Sequence, residues 1–255
     1  MHEVIVDRLE KIAREDDVRI LFACESGSRA WGFASTDSDY DVRFVYVRSR
    51  EKYLGLDEPR DVIERPIEGD LDINGWDLRK FLRQFRKSNP VTTEWLDSPI
   101  VYHESTSTAA RVRELVPELF RPTTAWHHYL SMANTNYRVS HKSDEIALKK
   151  YFYILRPLFA VMWIEQGFGP VPMRFADMLA RIDLPDDLRN EIDRLLERKA
   201  ASGELGRGPR IEPVSRYLER ELNERAKAIP DFEDRSRDTY VLDRLFHDAI
   251  EEAWK

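Results

Sequence analysis

Apolar positions along the chain change their period near Pro90. Before it, Val18 to Ala23, Asp41 to Val47 and Asp70 to Trp76 are short runs, continuously apolar or alternating, and rich in β-branched and aromatic residues; each reads as a strand. Asp61 to Ile67 reads as an edge strand, because Pro66 cannot donate to a ladder. Val4 to Ile12 has helical spacing, and Leu78 to Lys87 predicts a helix with Asp77 as its N-cap. After Pro90 strand signals become scarce. Helical patterns cover Val91 to Leu96, Ser107 to Phe120, Thr124 to Val139, Asp144 to Gln166, Met173 to Ile182, Asp186 to Ala200, Val214 to Ala228 and Thr239 to Trp254. Ala201 to Pro209, with three glycines and a proline, reads as a mobile loop. The pattern predicts an α/β (α+β) chain: a small mixed-sheet domain at 1–90, then a helical domain at 91–255.

Composition narrows the partners. A formal net charge of −7 argues against a protein that coats nucleic acid by bulk electrostatics, so any such contact needs a local basic patch. The best local candidate is the run Arg79, Lys80, Arg83, Arg86, Lys87, whose alternative reading is a solvated helix face. The single cysteine, Cys24, cannot form an intrachain disulfide and in a strand reads as a core thiol. The N-terminal residues lack a basic stretch followed by an apolar core, and the longest apolar segment, Tyr151 to Ile164, is interrupted and too short to span a bilayer. The expectation is a soluble cytoplasmic protein with no membrane partner. His127, His128 and His141 lack a zinc-ligand spacing, and Trp126, Trp163 and Trp254 read as core or interface residues.

The chemistry concentrates between Glu25 and Val47. Asp39 and Asp41 open a strand, and residues two apart in a strand share a face, so both carboxylates project together. Two such anions repel unless a cation lies between them, and hard oxygen donors select Mg²⁺ or Mn²⁺. Ahead of them Gly27-Ser28 forms a strand-to-helix turn whose main-chain N–H groups can receive phosphate oxygens. Further on, successive positions at 100° put Lys142, Glu145, Lys149, Tyr153 and Arg156 in one narrow helical stripe opposite a broad apolar face. Pro157 is expected to kink or end that helix.

Gly27-Ser28 followed by Ser38-Asp39-Tyr40-Asp41-Val42 resembles the hallmark of the DNA polymerase β-like nucleotidyltransferase superfamily. The longer string Gly-Ser-Arg-Ala-Trp-Gly-Phe-Ala-Ser, with Asn74 to Lys80 and Lys149 to Pro157, resembles one branch of it, the YcgL-like or RlaP (RNA-ligase-associated protein) predicted nucleotidyltransferases. The matching segments run from Leu21 to Arg174. The resemblance implies a metal-dependent, template-independent enzyme that moves an NMP from an NTP to a hydroxyl acceptor and releases pyrophosphate, with Mg²⁺ (or Mn²⁺) held by three carboxylates. Asp39 and Asp41 are two of them. Asp70 and Asp72 are the candidates for the third, and Asp72 is preferred because it lies deeper in its strand, ahead of Trp76-Asp77 and the following helix, while Asp77 caps that helix and Asp37 sits in a solvated loop. Gly27 and Ser28 would hold the β/γ-phosphates, and Lys149, Lys150, Tyr153 and Arg156 the rest of the triphosphate or the base, in a cleft that the helical domain completes. The acceptor implied is an RNA end, in repair or tailing, with an RNA ligase as associated partner. The alternatives are a small-molecule or protein acceptor, or a non-catalytic nucleotide-binding sensor.

Overall fold

The computed structural model describes residues 1–141, 145–201, 205–227, 230–233 and 240–255. In chain order the elements are α1 (His2–Glu15), β1 (Arg19–Ser26), α2 (Gly27–Trp31), β2 (Tyr40–Val47), α3 (Arg50–Tyr53), β3 (Val62–Glu64), β4 (Leu71–Asp77), α4 (Leu78–Arg86), α5 (Pro90–Leu96), β5 (Val101–Glu104) and α6 (Thr108–Leu119). There follow α7 (Pro122–Ser140), β6 (Glu145–Ala147), α8 (Lys149–Glu165), α9 (Phe175–Leu179), α10 (Asp186–Ala201), β7 (Arg207–Pro209), α11 (Glu212–Arg225) and α12 (Tyr240–Ala253). The fold is mixed α/β: a five-stranded mixed sheet, then a mostly helical region. Two compact units result, and neither is one continuous stretch. The first comprises residues 1–30, 39–120 and 235–255, so position 90 lies inside it; the second comprises 31–38 and 121–234.

In the first unit the strand order is β3-β4-β2-β1-β5. β1 pairs antiparallel with β2 and β5, β3 pairs antiparallel with β4, and β2 and β4 are parallel. Alternation sorts the side chains into two cores. Val42, Phe44, Tyr46, Leu71 and Ile73 pack with Ile5, Leu9 and Ile12 of α1, whose i, i+4, i+7 spacing gives that helix one apolar stripe. Val45 and Val47 point the other way, to a core built with α4, α5, α6 and α12. A bulge in β1 between Ile20 and Phe22 lets Leu21 and Phe22 both join this second core, together with Cys24, which is the buried thiol expected. The Asp77 side chain accepts from the Arg79 N–H at 2.8 Å, capping α4 as expected.

Gly75 has a steric reason to be glycine: a Cβ there would stand 2.1 Å from Cε2 of Phe44. Gly75→Ala is expected to cost about 1–3 kcal/mol by overpacking. Urea unfolding checks this; an unchanged midpoint would mean that the Phe44 ring moves aside freely.

In the second unit α8 is buried on nearly every side from Tyr151 to Ile164, which makes it a central helix rather than an amphipathic one. The segment 31–38 supplies aromatic rings to it: Phe33 stacks on Phe152 at 4.9 Å, and Trp31 meets Tyr153 edge-on at 5.7 Å. Two expectations are corrected here, and a third is narrowed. The helix placed from Asp144 begins at Lys149, because Glu145–Ala147 pairs with Arg207–Pro209 as a two-stranded ribbon; Glu145 therefore leaves the stripe, and Lys142 lies outside the described residues. The same pairing orders the end of the stretch read as a loop, of which 202–204 lie outside the described residues. Pro157 does not end α8, which runs on to Glu165. Among the described residues no helix is long and apolar enough to cross a membrane.

Candidate active site

Gly27, Ser28, Asp39, Asp41 and Asp72 all belong to the first unit. Parallel pairing sets Asp41 in register with Asp72, whereas Asp70 lies exposed in the turn before β4, where its carbonyl accepts from the Tyr40 N–H. Because Val42 and Ile73 face α1, Asp41 and Asp72 project from the opposite face of the sheet. Asp39, two residues before Asp41, is exposed at the mouth of β2.

A guanidinium stands between the paired carboxylates. Arg43 donates to Asp41 Oδ1 at 3.1 Å and to Asp72 Oδ2 at 2.8 Å, while its other amino group donates to the carbonyls of Val42 and Asp72, each at 3.0 Å. The second oxygen of Asp72 accepts from Asn74 at 2.7 Å. Burial pushes the Asp41 carboxyl above the usual carboxylate range; Arg43 opposes this, and the neighbouring Asp72 and Asp39 add to it. Sequence reasoning missed Arg43, although the period-two argument that joined Asp39 to Asp41 extends to it.

Glu25 is the second residue missed. It is fully buried, accepts the Asp41 N–H at 2.7 Å and also accepts the Tyr102 hydroxyl. Burial raises its pKa against these two hydrogen bonds. The carboxyl thus fixes the main chain from which the Asp41 side chain springs. Ser98 holds the other side of this knot, donating to the Glu25 carbonyl at 2.6 Å. Glu25→Ala would leave two buried donors unsatisfied, at about 1–3 kcal/mol each. Urea unfolding should show the larger part of that loss recovered when Tyr102→Phe is added; no recovery would deny the pairing its importance.

Gly27 follows β1 and opens α2 with φ +62°, and a Cβ placed on it would stand 2.1 Å from Oδ2 of Asp41. The glycine turn and the carboxylate are therefore in van der Waals contact, and Ser28 follows in α2, half-exposed. Lys149, Lys150, Tyr153 and Arg156 belong to the second unit. Lys149, Lys150 and Tyr153 are half-exposed, but Arg156 is 2% exposed: its guanidinium donates to the Met173 carbonyl at 3.2 Å and lies 4.7 Å from the Trp31 ring centre. Arg156 thus leaves the open stripe for the interior.

Among the described residues no three His, Cys, Asp or Glu side chains are gathered as a metal would require. The donor chemistry nevertheless suits a hard divalent cation. Asp41 and Asp72 are carboxylates on the β2–β4 pair that already attract one bridging guanidinium, and Asp39, just before β2, is a third that is exposed to solvent.

Residues 1–248 match the RlaP family, described as the RNA repair pathway DNA polymerase beta family. The chain belongs to the RlaP family. The match runs well past Arg174, the last residue of the motifs read from sequence. RlaP is a polymerase β-like nucleotidyltransferase family linked to RNA repair. The chain is 43% identical to YcgL of Bacillus subtilis (strain 168) over 256 residues, which covers all of this chain and 98% of YcgL. Among solved structures, a nucleotidyltransferase-like protein from Exiguobacterium sibiricum 255-15 aligns over 87% of this chain and 75% of its own, at 11% identity and a TM-score of 0.37, a likeness too loose to carry an argument.

Proposed function

We propose that this RlaP protein moves an NMP from an NTP to a hydroxyl group at an RNA end, releasing pyrophosphate. The observation that carries the reading is the register of Asp41 against Asp72, with Gly27 touching the Asp41 carboxylate. A phosphate-binding turn and a set of hard oxygen donors are thereby joined in one place, which is what in-line attack on an α-phosphorus needs. Asp39, Asp41 and Asp72 would hold Mg²⁺ or Mn²⁺, which when bound neutralises triphosphate charge and lowers the pKa of an attacking hydroxyl. The chain's own residues do the rest. Gly27 and Ser28 offer main-chain N–H groups to the β- and γ-phosphates, Glu25 fixes the backbone at Asp41, and Arg43 is the resident cation that neutralises Asp41 and Asp72 in the unliganded protein.

Lys149, Lys150 and Tyr153, the half-exposed members of the stripe, are proposed to contact nucleotide phosphate or base, whereas the buried Arg156 is not; Lys150 lies 5.1 Å from the Tyr153 ring centre. Lys149→Ala is expected to weaken ATP binding by about 1.5–3 kcal/mol and adenosine binding much less, since a charge-assisted contact is lost only with phosphate. Calorimetric titration with both ligands checks it, and equal losses would assign Lys149 a structural role.

One observation favours a second reading. The Arg43 bridge could substitute permanently for a metal, which would make the protein a nucleotide-binding sensor without chemistry. One experiment separates the two. The four NTPs, each labelled at the α-phosphate, are incubated with Mg²⁺ or Mn²⁺ and a panel of RNA, DNA, protein and small hydroxyl acceptors. Label on RNA is the expected result. Label only on a small molecule or protein keeps the chemistry and replaces the acceptor, and no label anywhere with retained NTP binding favours the sensor.

A further inference from the structure

α4 carries Arg79, Lys80, Arg83 and Arg86 in nine residues and no acidic side chain at all. A solvated basic helix ordinarily balances such charges with Asp or Glu three or four positions away; here the i+4 and i+3 neighbours Arg79, Arg83 and Arg86 repel one another instead. The three line a groove of about 420 Å³ whose other wall is α12, with Phe246 and His247. Arg79 is held in place by aromatic rings, 4.8 Å from the centre of Tyr53 and 5.5 Å from that of Phe246. Opposing charge is scant. Glu58, on an exposed loop, reaches Arg79 at 3.4 Å and Arg83 at 3.9 Å, and Asp243 lines the groove, but among the described residues Arg86 has no ion-pair partner. The groove also lies away from the carboxylates. α4 begins at the end of β4, five residues and so about 17 Å along that strand from Asp72.

We propose that this groove is a docking site for the phosphodiester backbone of single-stranded RNA, gripping at least two phosphates through Arg83 and Arg86 while Arg79 is pinned by its rings. The choice of RNA over other polyanions rests on the reading of the family site above. On a chain of net charge −7, three arginines in one groove, facing only Glu58 and Asp243, are the local excess of positive charge that such a ligand requires. A docking site distant from the site of transfer would hold the acceptor strand while leaving nucleotide binding untouched.

The test is fluorescence anisotropy of the full chain with a fluorescein-labelled single-stranded RNA between 50 and roughly 200 mM salt, comparing wild type with Arg83→Gln/Arg86→Gln. Both side chains are exposed, so the double variant is expected to fold normally. Loss of two phosphate contacts should flatten the slope of log K against log salt by about 1.4 and weaken binding about 25-fold at 0.1 M salt, with ATP affinity unchanged. An unchanged slope and affinity would overturn the proposal, as would a wild-type protein that binds no RNA. A parallel loss of ATP or inorganic triphosphate binding would overturn it in favour of a small-polyphosphate site. RNA binding that depends on the two arginines, in a protein that labels no RNA, would sustain the groove and sink the transfer reading alone.

Discussion

Asp39→Ala and Asp41→Ala are each expected to lower nucleotidyl transfer at least about a thousandfold, or roughly 4 kcal/mol of transition-state stabilisation, without destabilising the metal-free protein. Asp41 also carries a pH signature. Burial holds its carboxyl above the usual range, despite Arg43. A carboxyl whose folded pKa exceeds its unfolded value contributes stability when protonated; that contribution is complete below the unfolded pKa and is lost as pH rises through the folded one. Asp41→Asn, fixed in a neutral form, should therefore be more stable than wild type at neutral pH and lose that advantage below about pH 4. Urea midpoints measured in a metal chelator at the two pH values decide it. A variant less stable than wild type at neutral pH would show that the Arg43 ion pair outweighs the cost of burial.

Gly27→Ala is expected to be nearly as damaging, for a steric reason. A left-handed φ of +62° costs a Cβ-bearing residue about 1–2 kcal/mol, and the new methyl group would fall 2.1 Å from Oδ2 of Asp41, where nothing fits. The carboxylate has to move, and a displacement of about 1 Å at a reacting centre can cost a hundredfold in rate. Transfer should drop at least that far. A double-mutant cycle read on urea stability gives the diagnosis: in an Asp41→Ala background the clash is gone, so Gly27→Ala should cost only its backbone strain. Additive costs in the cycle would mean that turn and carboxylate are independent.

The parts legible in sequence were those whose cause is local. Period-two alternation placed β2 and β4, the Asp77 cap marked the start of α4, and the glycine turn and the paired aspartates stood within fifteen residues of one another. What was missed depends on partners far along the chain. β5 is four residues long and gains its place by pairing with β1, so Val101 to Glu104 carries no periodic signal of its own. β6 and β7 are likewise three residues each, joined across sixty positions. Glu25 looked like one more acidic residue because its meaning comes from Tyr102, 77 positions away, and from the main chain of Asp41. The helical pattern of α12 was visible, but not its return to the sheet of the first unit. Arg156 read as part of a polar stripe, and its contacts with the Trp31 ring and the Met173 carbonyl, distant or irregular in sequence, are not legible from helical spacing.

The most direct measurement is a single-turnover reaction of wild type with an α-phosphate-labelled NTP, Mg²⁺ and a single-stranded RNA, in which label at the RNA end and released pyrophosphate are counted together. The account predicts equal amounts of both, abolished together by a chelator and by Asp39→Ala. NTP that binds but yields neither product, with any of the four bases and with Mg²⁺ or Mn²⁺, would contradict it.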